Sequence, residues 1–375
     1  MRHRSLVVTL CAVFLLLASY AMAFAQTEQA WTPKRVSSLK DTVVKKRVNF
    51  PVKFSTGEKF RMAGFFYLKV SHVRGCVYHT DRKSVIECLF QQNFGHKPLQ
   101  TVVHGLTYNH RYWDSKRING QSYSYARFMA RKGFVVLALD LLGSGKSDVP
   151  DGNQLNIVES SASIAQVLVS LRSGENSLRR SFKKIILVGH SLGSILSVAT
   201  LGTFPHAADA LVVTGWAWTP HEALPETLIK TIIESSNPYV QLSAQSRENL
   251  FYFLPKADPA VIQFDNANLT GQTPRGIFTQ GLPLLAAMAR GNADDKEFIK
   301  IFSGSSQVQV PVLIQLGEWD VIAPAKLADQ EADFYPNASK VKVQTLSNIG
   351  HAFNLHVNNR KSWKRVKRWL SRQGY

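Results

Sequence analysis

Gly189, His190, Ser191, Leu192 and Gly193 follow one another in the chain, and an apolar run, Ile185-Ile186-Leu187-Val188, leads straight into them. A β-branched run of that length reads as a short buried strand. Ile195 to Leu201 then reads as a helix. A serine at the apex between strand and helix has its hydroxyl lifted off the end of a sheet. It faces a helix N-terminus whose amides point at incoming negative charge. Gly189 and Gly193 leave room for backbone to pass close by. Five such residues alone would also fit a Gly-Ser turn that closes a core strand. With their flanks they read as a nucleophile elbow.

A serine hydroxyl attacks a carbonyl only when a base takes its proton, and that base needs a third group to fix its tautomer. For an elbow serine the order along the chain is serine, acid, histidine. Strand Val312–Leu316 runs into Gly317-Glu318-Trp319-Asp320. Asp320, just past the strand end, is the preferred acid, and Glu318 is its competitor. Strand Val341–Leu346 is followed by Asn348-Ile349-Gly350-His351, which makes His351 the preferred base. His356 is the alternative, read as the start of the last helix. The tetrahedral intermediate needs two backbone donors. One is the amide of Leu192, and the other comes from the loop after strand Leu99–Val103, at Gly105-Leu106. His104 reads as a brace for that loop, and Asp140 with Gly143 and Gly145 as a structural glycine-rich turn. There is no His-Glu-x-x-His, no paired cysteine spacing and no dinucleotide glycine fingerprint, so neither metal nor cofactor is expected.

These residues must be held by regular elements. Val43–Phe54 and Phe60–Val70 alternate as two antiparallel strands around a Ser55–Glu58 turn. Ser71–Lys97 reads as a strand-and-loop excursion. Strands follow at Leu99–Val103, Phe134–Leu139 and Leu211–Val213, with helices at Ser122–Ala130, Asn156–Leu171 and Ser362–Leu370. Strands alternating with helices argue for an α/β fold: a mainly parallel sheet with helices on both faces. The alternation breaks once, between Trp218 and Ser306, where only helical patterns occur (228–233, 247–253 and 282–288). The expected organisation is a signal segment at 1–25, a core in two parts at 26–217 and 307–375, and a helical cap inserted at 218–306. The long apolar stretch Gly276–Ala289 is either the cap's own core or, with Leu106 and Trp216, the wall of an acyl- or ring-binding pocket.

The chain has 375 residues and a net charge of +19. Its basic residues are scattered rather than interleaved with aromatics, which argues against nucleic acid as a partner. One concentration lies at Lys361–Leu370, where Trp363, Val366 and Leu370 share a helical face. That segment is either the last helix packed on the sheet or a weak contact for an anionic surface. Arg2 and Arg4, the apolar run Leu6–Leu17 and the small residues Ala23 and Ala25 read as an export signal cleaved before Gln26. An uncleaved membrane anchor is the alternative. Cleavage would leave Cys76 and Cys88, which in an exported chain most simply form one disulfide. Asn268 and Asn337 begin N-glycosylation acceptor triplets.

His104-Gly105, Asp140-Leu141-Leu142-Gly143-Ser144-Gly145-Lys146-Ser147, Gly189–Gly193, Gly317–Asp320 and Gly350-His351 together resemble the alpha/beta-hydrolase superfamily over roughly Phe50 to Leu370. The stretch His104–Asp114 looks like that of fungal members, some found near secondary-metabolite enzymes. The resemblance implies an eight-stranded sheet, a cap after the sixth strand, and serine ester or amide hydrolysis. The expected substrate is a small apolar ester or lactone. A biosynthetic acyltransferase or cyclase with the same triad, and a catalytically silent binding protein on the same scaffold, are the alternatives. The Ser71–Lys97 excursion is longer than the family pattern leads one to expect.

Overall fold

The computed structural model describes residues 31–73 and 75–375; the expected signal segment lies outside them. Among the described residues, contacts divide the chain into two compact units, 31–42 with 70–92 and 43–69 with 93–375. The first holds helix α1 (Pro33–Ser37) and helix α2 (Arg82–Gln91). It also holds a disulfide between Cys76 and Cys88. The expected strand in this excursion is absent among the described residues, and α2 takes its place. Asp81 caps α2 by accepting a hydrogen bond from the Ser84 amide at 2.9 Å, and Val85, Leu89 and Phe90 are its buried residues. Mixed polarity around those three concealed the helical spacing.

The second unit is built on one eight-stranded sheet. Its strands are β1 (Val43–Lys53), β2 (Lys59–Lys69), β3 (Leu99–Val103), β4 (Val135–Leu139), β5 (Ile185–His190), β6 (Ala210–Thr214), β7 (Val312–Gly317) and β8 (Val341–Leu346). Their order across the sheet is β1-β2-β4-β3-β5-β6-β7-β8. β2 pairs antiparallel with β1 and with β4, and every later pairing is parallel. Strands β3 to β7 are buried at every position, so both faces of the sheet are covered.

The covering helices are α3 (Tyr125–Arg131), α4 (Ile157–Ser173), α5 (Leu192–Thr203) and, at the C-terminus, α11 (Arg360–Arg372). Ser124 and Asn156 cap α3 and α4 through their side chains. The apolar stripe of α11, Trp363, Val366, Trp369 and Leu370, is buried, so it belongs to the core.

Between β6 and β7 the chain forms α6 (Glu226–Glu234), α7 (Ala244–Phe251), α8 (Pro259–Asn268), α9 (Arg275–Arg290) and α10 (Ala293–Ser303). Helices α8 and α10 go beyond the three helical patterns expected there. The stretch is not free of strand: Tyr239–Val240 pairs with Thr273–Pro274. Two-residue strands are too short to show a periodicity. A second such ribbon joins Arg117–Ile118 to Gln121–Ser122, where the sequence pattern had suggested helix from Ser122.

Candidate active site

Ser191 sits between β5 and α5 with φ 54° and ψ −123°, a left-handed φ that a side-chain-bearing residue adopts only under constraint. The constraint is local. The Ser191 amide donates to the Thr214 carbonyl at 2.9 Å. Thr214 in turn donates from its hydroxyl to the Gly189 carbonyl at 2.9 Å and from its amide to Ser194 Oγ at 3.1 Å. A Cβ on Gly189 would lie 2.5 Å from the Gly193 carbonyl oxygen, and one on Gly193 would lie 2.3 Å from that of Val103. Neither glycine of the elbow can carry a side chain without moving backbone.

Asp320 is buried, and His351 Nδ1 lies 3.0 Å from both of its carboxylate oxygens. Oδ1 also accepts the amides of Ile322, at 2.9 Å, and Ala323, at 3.0 Å. An Nδ1–H donated to a carboxylate leaves the Nε2 lone pair of a neutral imidazole available. That Nε2 is buried and has no hydrogen-bond partner among the described residues. The His351 ring lies against the end of β6, where a Cβ on Gly215 would be 3.3 Å from His351 Cε1. The Ser191 amide is bonded to the residue just before that glycine.

The competitors hold other posts. Glu318 is exposed and accepts the Asn348 amide at 2.8 Å, which ties down the loop that carries His351. His356 does not start the last helix. It is buried upstream of α11, accepting the Gly350 amide at 3.1 Å, with its Nδ1 3.0 Å from the Ala352 carbonyl. Burial holds its pKa below the ordinary histidine value.

His104 Nδ1 lies 2.8 Å from the Gly105 carbonyl, and its Nε2 accepts the Leu141 amide at 3.1 Å. The Asp140 carboxylate closes the following turn. It accepts the Lys146 amide at 2.8 Å and the His110 amide at 2.6 Å, and His110 Nδ1 lies 2.8 Å away. Burial pushes the Asp140 carboxyl up, but the side-chain and backbone bonds from His110 and its electrostatic attraction prevail and hold it below the usual range.

The loop after β3 passes against the serine: a Cβ on Gly105 would be 3.1 Å from Ser191 Cβ. Leu106 and Leu192 both line the cavity into which Ser191 opens. As the first residue of α5, Leu192 has an amide with no acceptor inside the helix.

The cavity is narrow, about 50 Å³. Ile277, Phe278, Leu284 and Leu285 of α9 line it, with Trp216, Leu224 and Ile322. Ser191 carries the one hydroxyl among its lining residues, and none of them is charged. No group of three or more His, Cys, Asp or Glu side chains among the described residues could hold a metal ion.

Three features of the surroundings left no mark in the sequence. His190 stacks on Tyr112 at 4.6 Å, with its ring centre 5.0 Å from that of His351. Burial, and then the neighbouring His351, drive the His190 pKa well below the ordinary value. It therefore packs as a neutral ring. Next, Arg247 of α7 and Asp265 of α8 form a buried pair at 2.6 Å. Arg247 also donates to Thr107 Oγ1 at 2.6 Å, and Tyr108 and Tyr252 donate to Asp265 at 2.9 and 2.8 Å. The insertion thus grips the loop that begins at Gly105. Third, buried Glu331 accepts the amides of Trp218 and Thr219 where the insertion leaves the sheet.

Sheet order, elbow and the positions of acid and histidine after β7 and β8 define an alpha/beta hydrolase. The model of one family of this fold, described as serine aminopeptidase, S33, matches residues 116–355, and the chain belongs to that family. Solved structures share the fold at low identity. An esterase from Thermogutta terrifontis is 16% identical with a TM-score of 0.57, over 86% of this chain and 98% of the esterase. A hydrolase from Pseudomonas aeruginosa is 16% identical with a TM-score of 0.54, over 86% and 98%. A monoacylglycerol lipase from Paleococcus ferrophilus is 17% identical with a TM-score of 0.52, over 73% and 95%. No curated protein matches the sequence.

Proposed function

We propose that the protein is a serine hydrolase that cleaves carboxylic esters of apolar acids through an acyl-enzyme on Ser191. The observation that carries this reading is the position of Ser191 as the one hydroxyl in an uncharged, apolar cavity. The His351–Asp320 pair beside the end of β6 supports it. His351 Nε2 takes the Ser191 proton as Oγ bonds to the ester carbonyl carbon. The amides of Leu106 and Leu192 receive the negative charge that develops on the carbonyl oxygen. His351 then returns the proton to the leaving alcohol as its C–O bond breaks. Water, deprotonated by the same histidine, releases the acid and restores the serine.

Several neighbours of this fold are named as esterases or lipases, which agrees with an ester as substrate. The family description names an aminopeptidase, but a peptide's free α-ammonium group calls for a carboxylate or comparable acceptor, and the cavity wall offers none. An acyl chain or apolar ring suits the wall better. The test is a fluorophosphonate probe combined with p-nitrophenyl esters of rising chain length. Wild type should label and turn over, and Ser191→Ala should do neither, with a loss on the order of 10⁴-fold or more. Turnover that survives in Ser191→Ala would end the serine mechanism.

A further inference from the structure

Gly281 occupies the middle of the α9 face that lines the cavity, between Ile277 and Phe278 one turn earlier and Leu284 and Leu285 one turn later. The usual reasons for a buried glycine do not apply to it. Its φ is outside the left-handed region, and a Cβ built on it would meet only Ile157 Cδ1, at 3.7 Å, an ordinary van der Waals contact. Gly276 on the same helix is different, since its Cβ would lie 2.6 Å from the Asn153 carbonyl oxygen. Helix and neighbours therefore require a glycine at 276 and would accept alanine at 281. Glycine inside a helix is also less stable than alanine, because it loses more backbone entropy on folding. The chain thus carries a weakening residue where a stronger one fits, and what the missing side chain leaves behind is space in the cavity beside Ser191.

We propose that Gly281 sets the depth of the acyl pocket, so that its bare Cα admits the far end of a short to medium apolar acyl chain. The proposal rests on the reading of Ser191 as nucleophile and of the cavity as its acyl site. A cavity of about 50 Å³ takes roughly three to five water-sized groups, at about 10–15 Å³ each. One methyl group projecting from position 281 would remove about one of those places. Each methylene that can no longer be buried should lower kcat/KM by about fourfold. Ile157 also lines the cavity, and its Cδ1 lies 3.7 Å from where that methyl group would begin, so the two residues bound the same part of the pocket.

The experiment uses the full chain with Gly281→Ala, Gly281→Val and Ile157→Ala. It reads three things: Ser191 labelling by a fluorophosphonate, the melting temperature, and the ratio of kcat/KM for octanoyl over propionyl p-nitrophenyl esters. The ratio should fall about fourfold or more in Gly281→Ala and further in Gly281→Val, and rise in Ile157→Ala. Gly281→Ala should also melt at least a degree higher than wild type. A loss equal for both esters would leave the ratio unchanged and overturn the gauge, since a helix hinge at Gly281 and Pro283 slows all substrates alike. A Gly281→Ala melting temperature below that of wild type would also overturn it, because the space for a methyl group would not exist. Absence of labelling in wild type is a separate outcome that removes the nucleophile reading and the gauge with it.

Discussion

The floor of the site and its helical wall are built under different rules. On the floor, atoms are placed by backbone. Gly189 and Gly193 have carbonyl oxygens within 2.5 Å of where a side chain would begin, Thr214 bonds to both sides of the elbow, and two amides aim the Asp320 carboxylate at His351. On the wall, α9 supplies apolar bulk. Ile277, Phe278, Leu284 and Leu285 meet the cavity with side chains that another apolar residue of similar size could replace. Chemistry needs fixed positions and admits few residue types, whereas a pocket wall needs only a shape. The two regions should therefore respond to substitution on different scales and in different observables.

The floor should give the largest effects. Asp320→Asn keeps the size of the side chain but removes the charge that holds the His351 tautomer. A loss on the order of 10⁴-fold in kcat is expected, with little change in KM. Glu318→Gln touches only the Asn348 amide and should cost no more than a few fold. Equal losses in the two variants, or the reverse ranking, would assign the wrong acid to the site. The wall should respond less and selectively. Leu285→Ala opens the cavity without touching a bonded atom, so the chain length at which kcat/KM stops rising should move up by one or two carbons. Ester panels with each variant would read both effects on one scale. A general collapse of turnover in Leu285→Ala would erase the distinction between the regions.

The same contrast explains what could be read from the sequence. The elbow was legible because its constraints are local: an apolar strand, two glycines and a helix lie within seventeen residues, Ile185 to Leu201. The meeting of Asp320 and His351 was legible because strand ends mark the places where an acid and a base can be presented, and their catalytic roles belong to the proposed mechanism. The apolar stretch at Gly276–Ala289 showed that α9 could form a wall, but not that Gly281 would lie at its centre. Other features depend on pairs far apart in the chain. Arg247 finds Thr107, 140 positions away, and Glu331 finds Trp218 across 113. No periodicity or short motif records such pairings. Helix α2 was hidden for another reason, because its buried Val85, Leu89 and Phe90 stand among polar residues in a mean pattern close to neutral.

The smallest expected effect lies at the joint between floor and wall. Glu331 accepts the Trp218 amide at 2.8 Å and both the amide and the hydroxyl of Thr219, at 3.0 and 2.9 Å. Burial pushes its carboxyl up to about 7, with the donated amides of Thr219 and Trp218 working the other way. In the unfolded chain the same group loses its proton near the ordinary glutamate value of about 4.3. Between those two pH values the folded protein binds more protons than the unfolded one, so stability should fall as pH rises and level off above about 7. The contribution is fully present below the unfolded value. Its loss by pH 8 is at most about 4 kcal/mol, from roughly 1.4 kcal/mol for each of the about 2.7 pH units between the two values. Glu331→Gln cannot titrate, so its melting temperature should change less between pH 5 and pH 8 than that of wild type. The difference should be a few degrees for a chain of this size. Other groups titrate in both proteins, and comparing the two slopes cancels them. If Glu331→Gln keeps the full wild-type slope, Glu331 holds its proton alike in the folded and unfolded chain, and its burial at the joint does not set the pH dependence.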